Sequence, residues 1–402
     1  MCKVNQKMLD IQKISDPKQK IEAMMDYIGF LEFRISRLDQ LHEEVVQRKW
    51  KNDMTRQDYT CLYPFERIEV CTQGRVYTCC SSYLKPDFLI GNIFYDDIDQ
   101  IWNSDSAKKL RYSVLKGDFE YCHEHCRLWH NRKGSSYPLV KRPTCDCEDY
   151  RQCEVKKGPT YITLACDQTC NLYCKSCRKS KIVLTPEESK KLEQMLEQKI
   201  RPLLKDCKYL SMLGSGEVFA SPACSNFLKS ITAEEFPNLS ILLDTNGQLL
   251  TPLRWMEYQN LRGLPISFTV SIDAAEKDTY ESIRCGGKWD ILCDNMAFLG
   301  ELKKKLEIQY IQLNFVVQKE NYKQMAAFVE LGKKWNADAI QFTRINNWGT
   351  YSRDEYQQLN VFDPANPCRR EAQDILYNIV RTTKGIKILE NILDRDQVPL
   401  GD

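Results

Sequence analysis

Ala165–Ser180 reads ACDQTCNLYCKSCRKS and carries Cys170, Cys174 and Cys177 in a C-x3-C-x2-C array. Three thiols at this spacing do not share one face of a regular helix. They can wrap one corner of a cubane iron–sulfur cluster, which cysteine thiolates hold. A cubane has four irons, so three ligands leave one iron open. An open coordination position is where metal chemistry takes place. On spacing alone, a zinc loop or three incidental cysteines are the alternatives.

Outward from this loop, strands and helices alternate over 159–350, which argues for a parallel sheet in an α/β fold. The expected strands are Tyr161–Cys166, Tyr209–Leu213, Ile241–Asp244, Ile266–Ile272, Ile308–Val317 and Ala339–Phe342. Thr185-Pro186-Glu187-Glu188 opens the first helix with a cap, a proline and acids in the first turn. In β/α barrels the chemistry sits at the C-terminal ends of the strands. Gly214-Ser215-Gly216-Glu217 follows the second strand. Its glycines let backbone approach a ligand, and Glu217 can accept from an ammonium. Ser271 and Asp273 share a face at the end of the fourth strand, with a helix cap as the other reading of Asp273. Arg284 can pair with a carboxylate. Asn314, Gln318, Arg344 and Asn346 lie on or after the last two strands.

Cys170-Asn-Leu-Tyr-Cys174-Lys-Ser-Cys177-Arg178 resembles the cluster loop of the radical S-adenosylmethionine (SAM) superfamily, and the resemblance continues in order through Tyr161–Thr350. It implies a partial (β/α)6 barrel and a 4Fe–4S cluster on Cys170, Cys174 and Cys177 whose open iron chelates SAM. It further implies a 5′-deoxyadenosyl radical that takes a hydrogen atom from substrate, with the protein orienting and shielding the cofactor. Gly214, Ser215, Gly216 and Glu217 resemble the motif that holds the SAM amino group. Ser271 and Asp273 fall where the family contacts ribose or carboxylate. Arg344 and Asn346 fall near the expected adenine site, and Arg284 and Asn314 complete the expected cofactor-binding set. A flavodoxin- or ferredoxin-type reductant is the implied electron source.

The chain has 402 residues, 19 of them cysteine, and a formal net charge of +2. Its length allows two or three domains. Its near balance of charge implies no general attraction to nucleic acid or membrane. No apolar run is long enough to span a bilayer, and the N-terminus lacks a secretory apolar core. A cytoplasmic location with reduced thiols is therefore expected, and so many cysteines there point to metal or cluster ligation.

Ten cysteines lie between Cys61 and Cys166. Ile68–Val70 and Arg75–Tyr77 flank Thr72-Gln73-Gly74, a hairpin signal. An amphipathic helix is expected over Ile98–Leu115, and Cys122 and Cys126 close the region. Cys61, twelve residues, Gly74, four residues and Cys79 resemble the opening half of a SPASM auxiliary-cluster domain, as do Ile90-Gly91-Asn92 and Asp99–Ser104. That resemblance implies a second 4Fe–4S cluster on Cys61, Cys79, Cys122 and Cys126, with Cys71 and Cys80 as spare candidates. Here the final pair is C-x3-C where the family has C-x2-C, and the domain precedes the barrel where the family usually has it following. A zinc site is the alternative, with His123 and His125 nearby. Cys145, Cys147 and Cys153 could hold part of a further auxiliary cluster or line a covering loop.

The expected organisation is an N-terminal helical extension over 1–55, the small α+β auxiliary domain over 56–135, a linker over 136–158, the barrel over 159–350 and a helical tail over 351–402. Within the extension, Ile21, Met24, Ile28, Leu31, Ile35, Leu38, His42 and Val45 form a heptad seam over Pro17–Trp50. It suits either a homodimeric coiled coil or packing on its own enzyme. The resemblance points to oxidation of a peptide or protein side chain. Radical chemistry on a carbohydrate or other small metabolite (oxidation, epimerisation or dehydration), a multi-cluster electron-transfer protein and a zinc-stabilised binding protein are the alternatives.

Overall fold

The strand order of the main sheet explains where everything else sits. In a computed structural model, residues 58–85, 88–123, 126, 139–143, 147–212, 214–390 and 392 are described. The expected N-terminal helix with its dimer seam, Cys145 and His125 lie outside them.

Twelve strands are described: β1 (Tyr59–Cys61), β2 (Arg67–Cys71), β3 (Arg75–Tyr77), β4 (Gly91–Asn92), β5 (Leu139–Lys141), β6 (Tyr161–Ala165), β7 (Tyr209–Met212), β8 (Ser240–Thr245), β9 (Ile266–Ser271), β10 (Tyr310–Val317), β11 (Ala339–Arg344) and β12 (Lys387–Glu390). Ten of them form one sheet in the order β12-β11-β10-β9-β8-β7-β6-β2-β3-β4. From β6 to β12 every neighbour is parallel and spatial order follows sequence order. Right-handed crossovers in an unreversed order lay all helices on one face, which is how an open sheet curls into a partial barrel. Ile162, Leu164, Leu210, Ile241, Leu243, Phe268, Leu313 and Phe342 share the apolar core with helix residues such as Leu192, Phe227 and Met296. The alternate residues, including Thr163, Ser211, Asp244, Thr269, Gln312, Asn314 and Gln341, line the opposite, concave face.

The six expected β/α units are present, and β12 adds a seventh strand parallel to β11 where the sequence suggests only a helical tail. The helix expected over Ile98–Leu115 is two, Ile98–Trp102 and Asp105–Lys116. Ser104 breaks it by capping the second, its side chain accepting from Ala107 N.

The auxiliary region joins the barrel's own sheet. β2 runs parallel to β6, and β3 and β4 continue outward antiparallel. The β2–β3 turn takes Gln73 and Gly74 through positive φ (61° and 74°), which suits glycine at the second position. Part of the expected linker is also structural: β5 pairs antiparallel with β1. Trp102 Nε1 and Asn103 Nδ2 donate to the carbonyls of Lys157 (2.9 Å) and Val155 (3.0 Å). Arg111 is fully buried and donates to Pro64 O, Asn103 Oδ1 and Trp102 O at 2.7–3.0 Å, stapling these pieces together.

Candidate functional site

At the C-terminal ends of the parallel strands a cleft of about 350 Å³ opens between the cysteine loop, the glycine loop and the ends of β8 and β9. Cys170, Cys174 and Cys177 all line it, with Gly214, Ser215, Gly216, Ser271 and Arg284. A larger cavity of about 440 Å³ lies at the other end of the sheet by Trp255, Tyr258 and Leu264; among the described residues no cysteine is in its wall. The chemistry-bearing groups gather in the first.

The two loops are zipped together by backbone. Glu217 N donates to Thr169 O at 2.7 Å. Arg178 reaches across, donating to Gln168 O (2.6 Å) and Ser215 O (2.7 Å), while its Nε lies 3.4 Å from Cys177 Sγ. A Cβ at Gly216 would run into the carbonyl oxygens of Thr169 and Asp167, so the close approach needs glycine there. Asp167 holds the start of the cysteine loop by accepting from Thr169 N (2.7 Å) and Ser221 Oγ.

Each thiol has its own setting. Cys174 is buried, Cys170 half-buried and Cys177 exposed. Burial pushes the Cys170 and Cys174 thiols up, and Arg284 opposes this at Cys174. Arg284 Nη1 lies 3.7 Å from Cys174 Sγ, and Asn246 Nδ2 lies 3.9 Å from Cys170 Sγ. Buried Arg284 Nε has no hydrogen-bond partner among the described residues. Three thiols around one opening, with cationic and amide donors aimed at their sulfurs and one buried donor left over, fit an anionic thiolate-bound cluster.

Several sequence expectations are placed differently. Glu217 is buried and its carboxylate is not part of the cleft wall. It accepts from Thr245 Oγ1 (2.8 Å), Asn246 N (2.6 Å) and Phe219 N (3.3 Å), and burial pushes it up to about 7. Its carboxylate latches the glycine loop to the end of β8. Asp273 is neither cap nor cleft wall. Held at φ 66°, it accepts from Val316 N (2.7 Å) and pairs with Arg284 Nη2 at 2.6 Å. Burial pushes Asp273 up, while Arg284 pulls the other way. Asn314 neighbours Ser271 in register, but its side chain accepts from Gln312 Nε2, which also donates to Gln341 Oε1. Arg344 shares the helix-facing side of β11 with Phe342 and lies 6.0 Å from the Phe362 ring, and Asn346 is exposed beyond the strand. Neither lines the cleft.

The sequence reading missed Asp244 and Asn246. Among the described residues Asp244 is the one carboxylate in the cleft wall, and burial pushes it up to about 6. Asn246 bonds Asn171 Oδ1 at 2.8 Å beside Cys170. The Thr245-Asn246-Gly247 turn after a parallel strand was the available signal.

The second cysteine set occupies a small separate core. Cys61, Cys79 and Cys126 are buried with Tyr77, Leu84, Leu110, Val114, Phe119 and Leu139, and Cys122 packs at its edge. Burial pushes Cys61 up to about 12 and Cys79 well above its ordinary value, and all four thiols interact electrostatically. Thiols held in an apolar core, as those of Cys61, Cys79 and Cys126 are, ionise poorly unless a metal centre neutralises them as they deprotonate, which a cluster does. Among the described residues no three Cys, His, Asp or Glu side chains converge for a single metal ion. A cubane presents four separate irons, so its ligands need not meet at a point. Cys71 donates to Glu69 Oε1 (3.5 Å) and Cys80 contacts Ser82 Oγ (3.0 Å). Cys147 is half-buried and Cys153 buried, outside this core.

Residues 61–127 match the family described as SPASM, iron-sulfur cluster-binding domain, within the segment expected to be auxiliary. No curated protein matches the chain. Among solved structures, it is similar to Streptococcus suis SuiB bound to S-adenosylmethionine, at 15% identity and a TM-score of 0.42 over 58% of this chain and 51% of that one. It is also similar to native anSMEcpe with bound AdoMet (18%, TM-score 0.39, 57% and 63%). A radical SAM methyltransferase from Sphaerobacter thermophilus gives 14%, a TM-score of 0.34, 56% and 63%. The chain thus spans between half and two thirds of these structures. Among the described residues no helix is long and apolar enough to cross a membrane.

Proposed function

We propose that this chain is a radical SAM enzyme that oxidises a peptide or protein side chain, with an auxiliary cluster as electron acceptor. The observation that carries this reading is the convergence of Cys170, Cys174 and Cys177 with Gly214–Gly216, Ser271 and Arg284 in one cleft. When bound, a 4Fe–4S cluster and SAM would supply a 5′-deoxyadenosyl radical able to take a hydrogen atom from substrate.

The chain's own residues hold and shield. Cys170, Cys174 and Cys177 would ligate the cluster, while Asn246 and Arg284 stabilise the Cys170 and Cys174 sulfurs as thiolates. Backbone of Gly214–Gly216 is free to approach the amino-acid end of SAM. Asp244, which lines the cleft where Glu217 does not, would accept from its ammonium. Cys61, Cys79, Cys122 and Cys126 would ligate the auxiliary cluster, which the SPASM match supports. SPASM-bearing enzymes often modify peptides, and the SPASM match over residues 61–127 is what supports a peptide or protein side chain as substrate.

The test is anaerobic incubation of reconstituted protein with dithionite and SAM. 5′-Deoxyadenosine should accumulate with the natural chain and stay at background with Cys170→Ala. No 5′-deoxyadenosine from cluster-replete protein would leave an electron-transfer role instead. Product formation with small metabolites but never with peptides would move the substrate class.

A further inference from the structure

On the concave side of β2 lies a buried ion pair that the proposed chemistry leaves unexplained. Arg67 and Glu69 alternate with core residues Ile68 and Val70, so both side chains leave the strand on that face. Arg67 Nη2 lies 3.0 Å from Glu69 Oε2, with side chains only 12% and 7% exposed. Such a pair rarely stabilises a fold more than apolar side chains of equal volume would. Folding alone therefore gives little reason for it.

The pair is oriented. The Arg67 guanidinium lies 5.3 Å from the ring centroids of both Tyr63 and Tyr161. Tyr63 packs on the auxiliary core with Cys61 and Cys79. Tyr77 sits opposite Glu69 in the antiparallel β2–β3 ladder, so continuing two residues to Cys79 brings that thiol alongside Arg67. Arg67 in turn opposes the upward push of burial on the Cys79 thiol. Its Nε–H is buried without an acceptor among the described residues, a donor to spare for an anionic neighbour. Glu69 faces elsewhere, accepting from Ser81 Oγ (3.1 Å) and Cys71 Sγ (3.5 Å). Positive charge points at the auxiliary thiols and negative charge away. From Arg67, β2 then climbs four residues, about 13 Å, to Cys71, which pairs with cleft-lining Ala165.

We propose that Arg67, steadied by Glu69, sets the reduction potential of the auxiliary cluster, keeping it able to accept an electron from the cleft. This rests on the reading that Cys61, Cys79, Cys122 and Cys126 carry a cluster. One-electron reduction adds a negative charge to it, and a fixed cation in a poorly hydrated site favours that state. Removing the Arg67 charge lowers the potential. Removing the Glu69 charge, which opposes the cation from farther off, raises it. Arg67 is thus a positioning residue for charge rather than a catalytic one.

The experiment is a dithionite titration followed by electron paramagnetic resonance. It uses the full chain carrying Cys170→Ala, Cys174→Ala and Cys177→Ala, so that only the auxiliary cluster reports. In that background Arg67→Gln should shift the midpoint down, Glu69→Gln should shift it up, and Arg67→Lys should stay near the parent. An unmoved midpoint in Arg67→Gln, with iron and sulfide content unchanged, overturns the proposal. If Arg67→Gln fails to retain the cluster, Glu69→Gln decides: an upward shift supports the role, and an unmoved or lowered midpoint overturns it. Absence of any cluster in the parent overturns the ligand reading, and the Arg67 role falls with it.

Discussion

The two cysteine sets are built on opposite plans. Cys170, Cys174 and Cys177 surround an open cleft and range from buried to exposed. Cys61, Cys79, Cys122 and Cys126 gather in an apolar core among tyrosines and leucines. Each set has a largely buried arginine side chain paired with a buried acid beside it, Arg284 with Asp273 and Arg67 with Glu69. The contrast is therefore in access rather than in electrostatic support. An open set can share its metal with a ligand, and a closed set can only exchange electrons or hold structure.

The largest expected effect breaks this comparison directly. Cys170→Ala, Cys174→Ala or Cys177→Ala should each cut 5′-deoxyadenosine formation by more than about 10²-fold, the upper end of what losing an outer-shell partner costs. Cys61→Ala or Cys79→Ala should remove auxiliary iron and sulfide and leave SAM cleavage within a few-fold of normal. Equal loss from both sets would erase the distinction.

Next is the ion pair of the open site. Asp273→Asn leaves the buried Arg284 charge uncompensated, at a stability cost of about 3–5 kcal/mol. Urea denaturation should show this loss and its partial recovery in Asp273→Asn with Arg284→Gln.

Glu217 sharpens the comparison through pH. Its carboxyl is raised from an ordinary 4.5 to about 7 by burial. Between those values the folded chain binds the proton more tightly than the unfolded chain. The stabilisation is therefore full below 4.5, falls as pH rises and is gone above about 7. The total is up to about 3 kcal/mol. Glu217→Gln should flatten that part of the urea-midpoint profile relative to the natural chain. Equal slopes would mean that the carboxyl is not held as described.

The smallest effect concerns the closed site's frame. Ser104→Ala removes the cap of Asp105–Lys116 and should cost about 1 kcal/mol. Auxiliary iron content should be unchanged.

What the sequence made legible was local. The cysteine spacing, the β2–β3 turn and the Thr185 capping box, in which Glu188 reciprocates, are all written within a few residues. Contacts set by the assembled sheet were harder to read. Asn246 and Asp244 reach the cleft because β8 ends there, and only the assembled sheet brings Asn246 to Asn171. Glu217 looked like a ligand group because it follows two glycines. Those glycines serve close backbone approach instead, leaving the side chain to turn inward. Arg344 was within reach of simple counting, since Ile340, Phe342 and Arg344 alternate onto one face and the first two are core. β12 is only four residues long, and its pairing partner β11 lies more than forty positions earlier. No local pattern announces it.

The most direct test of the central claim is the paramagnetic spectrum of the reduced central cluster, recorded in a chain whose auxiliary cysteines are replaced and compared with and without SAM. The account predicts that SAM changes the spectrum, because the nucleotide takes the iron that the three thiols leave open. A central cluster whose spectrum is indifferent to saturating SAM would contradict it.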